Sequence, residues 1–202
     1  YTSIRNQFGS AAVSPGRALT NAQRVIDLEG SMGLYHEATI QDWFDSADAF
    51  LRFWNIYYGS LHFIVTLGVM VWLYRRHPKR YRQWRATLAS MTGLALIGFA
   101  TFPLMPPRLL GDCGPYGGCQ PGHGFVDTLA DVGGLWSFDS GTMQEISNQY
   151  AAMPSLHVGW STWCLLAVYP VLRSRLSRAA PILYPLGTVF GIVLTANHAW
   201  IH

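Results

Sequence analysis

The chain has 202 residues, half of them hydrophobic, 14% aromatic and only 12% charged, with a formal net charge of +3. A soluble domain carries about a quarter charged residues, so the composition speaks against an ordinary water-soluble globule. The Trp and Tyr residues flanking the apolar runs read as anchors at a membrane interface. The positive charge is gathered in two short runs, which argues against a nucleic-acid-binding face, three cysteines are too few for a disulfide framework, and no Cys/His spacing suggests a zinc site.

No cleavable signal sequence is visible, and the chain begins with Tyr1 rather than Met, which reads as a piece of a longer protein. Ala18, Ala22, Val25, Ile26 and Glu29 suggest a short helix. Thr39 to Phe53 suggests a second, with Ile40, Trp43, Phe44, Ala47 and Leu51 at helical spacing. Asp42, Asp45 and Asp48 interrupt its apolar pattern, so these helices are expected to lie along the membrane surface. Four stretches, 53–74, 86–104, 156–172 and 182–201, come near the ~20 residues that a span needs. On the first, Asn55, Tyr58 and His62 form a polar stripe at i, i+3 and i+7. It reads equally as the lining of a substrate cavity or as interhelical hydrogen bonding.

The first two spans are joined by the basic run 75–85 and the last two by the basic run 173–178. Short basic loops stay in the cytoplasm, and the two assignments agree because two spans separate them. Residues 1–50, Arg108, the loop 109–154, His157 and His198 are therefore expected together on the extracytoplasmic side. The Gly-rich loop 111–150 holds Asp127, Asp131 and Asp139, with helical pieces expected near 125–132 and 140–147. Cys113 and Cys119 in this loop either bridge or remain two free thiols, while Cys164 reads as a small core residue.

Residues 151–160, Ala-Ala-Met-Pro-Ser-Leu-His-Val-Gly-Trp, open the third span. Ser155 suits a helix cap, and the free amides and positive dipole end beside it seat a phosphate. One turn in, His157 is placed to pass a proton to a phosphate ester; the bland alternative is a capped helix carrying a spare histidine. Pro106-Pro107-Arg108 closes the second apolar run and Thr195-Ala196-Asn197-His198 closes the fourth. Arg108 offers a planar fork to phosphate oxygens, against the alternative of snorkelling to the membrane boundary. His157, His198 and Arg108 are expected to surround a space the size of a phosphate.

Together, Pro-Pro-Arg, Pro-Ser-Leu-His and Asn-His resemble the type 2 phosphatidic acid phosphatase superfamily. Ala-Ala-Met-Pro-Ser-Leu-His looks like the hallmark of its inositol phosphorylceramide synthase-like branch, and the Asn55, Tyr58 and His62 stripe also resembles that branch. The resemblance runs from about Ala18 to the end. It implies an all-α, multi-pass transmembrane helix bundle with interfacial helices and an extracytoplasmic loop region. It also implies a single domain over residues 1–202, lacking a first and a last transmembrane helix of the usual six. Carried over by position, His198 is the nucleophile that becomes phosphorylated and His157 the general acid. Arg108, Ser155 and Asn197, with Asn55, Tyr58 and His62, are the substrate-binding residues.

Three positions depart from the superfamily pattern. Thr101 stands where the first motif has a lysine, Ile192 where the third has an arginine, and His202 where an Asp would orient the nucleophile. Asp139 or Glu145 is the substitute the loop offers. The expected function is that of a lipid phosphate phosphatase or phosphotransferase at the extracytoplasmic leaflet of the cell membrane, with an inositol phosphate-type head-group transferase as the finer reading. Its partners are a lipid phosphate or phospholipid and the bilayer, with no nucleic acid, no cofactor and no metal; oligomeric state is left open. A non-catalytic lipid-binding or assembly subunit is the alternative. Vanadate-dependent oxidation fits less well, because a cationic clamp is missing.

Overall fold

The structure, a computed structural model, describes residues 15–44, 46–120, 122, 124–133, 150–198 and 200. Among these it is all-helical, with no strand and one isolated bridge, Leu104 to Ala151. Helix α1, Pro15–Ser31, starts on a proline, which needs no amide partner in a first turn. Its buried stripe of Ala18, Ala22 and Val25 packs on Leu104, Met105, Leu109, Leu110, Tyr150 and Ala152. That apolar stripe is thus covered by protein, and Asn21 Nδ2 donates to the Pro103 carbonyl at 2.8 Å.

The helix expected over Thr39 to Phe53 is two helices. Helix α2, Glu37–Asp42, stops at a turn in which the Phe44 amide bonds the Gln41 carbonyl and the Ala47 amide bonds the Phe44 carbonyl. The turn lets Phe44 stack on Phe50 at 5.0 Å and meet Phe190 edge-on at 6.2 Å. Helix α3 then runs unbroken over Asp48–Arg76, with a π-helical turn at Tyr57–Leu61. After it come α4 (Pro78–Thr101), α5 (Thr128–Asp131), α6 (Leu156–Val168) and α7 (Arg175–Leu194).

Helices α3 and α7 are long and apolar enough to cross a membrane. Helix α4 carries Lys79, Arg80, Arg82 and Arg85 in its first turns. Helix α6, at 13 residues, is only about 20 Å long. It is apolar all round and packs on α3, α4 and α7, so it is the buried element of the group. Its Trp163, Cys164 and Ala167 meet Leu73 of α3, which bears out the reading of Cys164 as a core residue. Phe63, Ile64 and Leu67 of α3, Leu94 and Ile97 of α4, and Leu183 and Leu186 of α7 are exposed apolar side chains on the outside.

The two basic runs are helix ends rather than loops. Arg75 and Arg76 finish α3, a single residue intervenes, and Pro78 begins α4. Ser174 caps α7 by accepting from the Ser177 amide, so α7 begins well before residue 182 and ends at Leu194 rather than 201. Arg80 Nη2 donates to the Ala167 carbonyl at 3.2 Å and Arg178 Nε to the Leu172 carbonyl at 2.9 Å, which gathers both basic runs at one end. At the opposite end the Arg108 amide bonds the Ala196 carbonyl and the Leu104 amide bonds the Tyr150 carbonyl.

In the loop, Cys113 and Cys119 form a disulfide, one of the two outcomes left open by the sequence. Helix α5 falls inside the stretch 125–132 where a helical piece is expected. The piece expected near 140–147, together with Asp139, Glu145 and His202, lies outside the described residues.

Candidate active site

The site is built where backbone leaves the helices. Past Thr101 the chain is extended, because the residue before a proline avoids helical angles, and Pro107–Leu109 forms one 3-10 turn that buries Arg108. Arg108 does not snorkel. Its Nε donates to Asn197 Oδ1 at 3.0 Å and its Nη1 to Asp127 Oδ2 at 2.6 Å. Asp127 in turn caps α5, accepting from the amides of Leu129 and Ala130. Asn197 completes its bonds by donating to Thr195 Oγ1 at 2.8 Å. Arg108 is therefore held in register by a carboxylate that sequence reasoning did not single out. The signal available was an aspartate at the start of a helical piece.

Ser155 caps α6, its Oγ accepting from the Val158 amide at 3.4 Å. Its hydroxyl faces His198 Nε2 at 3.4 Å, and both residues are buried. The other ring nitrogen, His198 Nδ1, bonds the Ala152 carbonyl. A carbonyl only accepts, so Nδ1 carries the proton and Nε2 is left as the basic nitrogen. Among the described residues it is a backbone carbonyl, which leaves no trace in sequence, that orients this ring. Gly98 of α4 makes room for the segment that leads into α6, since a Cβ there would lie 2.6 Å from Pro154 Cδ.

His157 and His198 lie 6.0 Å apart between ring centroids, at 67°. The Tyr58 ring stacks on His157 at 4.2 Å and 23°, and His62 meets it edge-on at 4.2 Å. His62 donates from Nδ1 to the Tyr58 carbonyl at 3.0 Å, accepting only being possible for that oxygen. The π turn lies under both residues, and such turns re-aim side chains at functional sites.

A pocket beside His157 is lined by Tyr57, Tyr58, His62, Thr188, Gly191 and Ile192. His198 and Arg108 are not among the residues lining this pocket; they join the site through the Ser155–His198 and Arg108–Asn197 contacts. Asn55 is not among the lining residues either. Its Nδ2 donates to the Thr128 and Gly133 carbonyls at 2.9 and 3.0 Å, and its Oδ1 accepts from Thr128 Oγ1 at 3.0 Å, which uses its amide to hold the loop. Ile192, where the superfamily has an arginine, is an apolar wall of the pocket. Thr101, where it has a lysine, is exposed at the end of α4, and its carbonyl accepts from Arg17 Nη2 at 2.9 Å.

Chemically, the arrangement offers a basic imidazole nitrogen beside a hydroxyl, a second imidazole within a phosphate's width, and a guanidinium tied to the segment that carries the first. No curated protein and no solved structure matches the chain. Residues 23–201, nearly the whole length, match the family model of the PAP2 superfamily, and the chain belongs to that superfamily.

Proposed function

We propose that this protein is a multi-pass membrane phosphotransferase of the inositol phosphorylceramide synthase-like branch, moving a phospho-head-group from a lipid through a phosphohistidine at the extracytoplasmic leaflet. It works as a single domain whose spans are α3, α4, α6 and α7. The observation that carries the reading is the tautomer of His198: Nδ1 bound to the Ala152 carbonyl leaves Nε2 basic and next to Ser155. In the first step Nε2 attacks phosphorus, and the leaving oxygen takes a proton from His157. In the second, His157 draws a proton from the acceptor hydroxyl as that oxygen displaces the histidine, restoring both rings. Arg108, Ser155, Asn197, Tyr58 and His62 hold the phosphate and its neighbours; Asn55 serves by holding the loop above them.

Charge favours head-group transfer over simple phosphate release. Arg108 is offset by Asp127, and neither Thr101 nor Ile192 supplies a second cation. Such a site suits the single negative charge of a phosphodiester better than the near-double charge of a phosphomonoester. The disulfide and the basic ends of α3, α4 and α7 support the orientation, since bridges persist outside the cytosol and short basic segments stay within it. The Arg108–Asp127 pair is also what a non-catalytic lipid-binding subunit would carry.

The test is rapid quench of the full-length protein in lipid nanodiscs with a radiolabelled phospholipid, with and without a polyol or ceramide acceptor. Acid-labile label on His198, lost together with turnover in His198→Ala, is the expected result. Turnover that persists without His198, or no label on the wild type, overturns the reading. Full activity in a strong chelator is expected as well, because the three motifs carry no cluster of carboxylates and the Arg fork and helix amides take the phosphate charge.

A further inference from the structure

We propose that Glu37 and Gln41, on the short helix α2, are positioning residues for His198, holding both ends of the segment that presents its ring. The inference rests on the phosphohistidine reading above. That segment is irregular backbone. It leaves α7 at Leu194, and Ala196 then takes φ +51°, a left-handed conformation that L side chains rarely adopt. Such a conformation persists only where the surroundings over-determine it. Within the segment, the Asn197 amide bonds the Ile192 carbonyl and the Ala196 carbonyl accepts from the Arg108 amide.

The two ends are tied from α2. Glu37 Oε1 accepts from the Trp200 amide at 3.1 Å, two residues beyond His198. Gln41 Nε2 reaches the Leu194 carbonyl at 3.4 Å, the last of α7. The same Gln41 amide makes a two-point bridge to Val126, donating to its carbonyl at 2.8 Å and accepting from its amide at 2.9 Å, immediately before Asp127. One turn of helix therefore fixes the segment that carries His198 and the residue next to the partner of Arg108. Both side chains are 1% exposed, and Glu37 Oε2 is buried without a hydrogen-bond partner among the described residues. A buried carboxylate oxygen left in that state is costly. An apolar side chain of the same volume, such as leucine, would avoid that cost.

Glu37→Leu keeps volume and removes the acceptor; Glu37→Gln keeps an oxygen acceptor for the Trp200 amide. Single-turnover phosphoenzyme formation in nanodiscs should fall about ten- to a hundredfold in Glu37→Leu, as expected for a misplaced nucleophile. KM should be unchanged, Glu37→Gln should restore the rate, and hydrogen exchange should quicken at the Trp200 amide in the Leu variant alone. Gln41→Leu is the second variant should Glu37→Leu not fold, with the same loss in rate and unchanged KM. A wild-type rate in Glu37→Leu or Gln41→Leu overturns the proposal, and so does a Glu37→Gln variant as slow as Glu37→Leu. A wild-type rate in His198→Ala would instead strike the phosphohistidine reading on which the proposal stands.

Discussion

The two halves of this molecule solve the same problem in different ways. At the basic end, α3, α4, α6 and α7 pair their own amides and carbonyls, and side chains bond backbone there at few points, such as Trp163 Nε1 to the Trp84 carbonyl at 2.9 Å. At the motif end the backbone is irregular, and buried side chains do the pairing. Asn21 serves the Pro103 carbonyl, Gln41 serves Val126, Asn55 serves Thr128 and Gly133, and Asn197 serves Thr195. Non-helical backbone away from water is tolerated only when protein satisfies it in this way. The buried amide side chains at this end thus serve the fold through backbone bonds, whereas the imidazoles, the Ser155 hydroxyl and the Arg108 guanidinium are the groups to which the proposed function gives chemistry.

The sharpest way to break that division is to remove an acting group without touching a holding one. His157→Ala leaves every backbone bond named above in place, yet it removes the group that gives the leaving oxygen its proton in the proposed mechanism. The expected loss is about a hundredfold to ten-thousandfold in the first chemical step, typical of a lost general acid. A substrate with a good leaving group should recover the rate in this variant and not in His198→Ala. If His157→Ala is equally slow with both substrates, His157 belongs with the holding residues and the division fails at its centre.

How far this division was legible in sequence follows from the kind of atom involved. Side chains that announce chemistry, His157, His198, Arg108 and Ser155, stand out because polar groups at the ends of apolar runs are costly without a role. The all-helical architecture and the gathering of the three motifs at one end follow from periodicity and charge. The tautomer of His198 was not legible, because its partner is the backbone carbonyl of Ala152. Helical spacing put Asn55 on one stripe with Tyr58 and His62 and left cavity lining and hydrogen bonding equally open; its bonds to the Thr128 and Gly133 carbonyls are tertiary and have no signature in spacing. The break between α2 and α3 escaped notice because the stacking of Phe44 on Phe50 and its edge contact with Phe190 are tertiary.

Asn55→Ala tests the holding class directly. It takes the Asn55 amide away from the Gly133 carbonyl and from Thr128 Oγ1, while the Thr128 carbonyl keeps the Val132 amide; a buried group left unpaired costs about 1–3 kcal/mol. The melting temperature in nanodiscs should drop accordingly, while the turnover of the protein that remains folded stays close to wild type. Loss of turnover at full thermal stability would instead return Asn55 to the substrate site.

The smallest effect is expected on the outside of the helical half. Leu67 of α3 is 66% exposed and lies on the stripe with Phe63 and Ile64, both also exposed. In water such a stripe would be a liability, but against acyl chains a leucine and an alanine make similar contacts with their surroundings. It leaves no cavity when shortened, because lipid fills the space, and it pairs with no backbone group. Leu67→Ala should therefore shift stability in nanodiscs by no more than about 0.5 kcal/mol, the scale of a surface change away from special features. Thermal melts in a lipid nanodisc give the measurement. A loss of 2 kcal/mol or more, in the range of about 2–5 kcal/mol for a buried leucine cut to alanine, would mean that protein rather than lipid covers this face, and α3 would have to be packed against a further helix or a second copy of the chain.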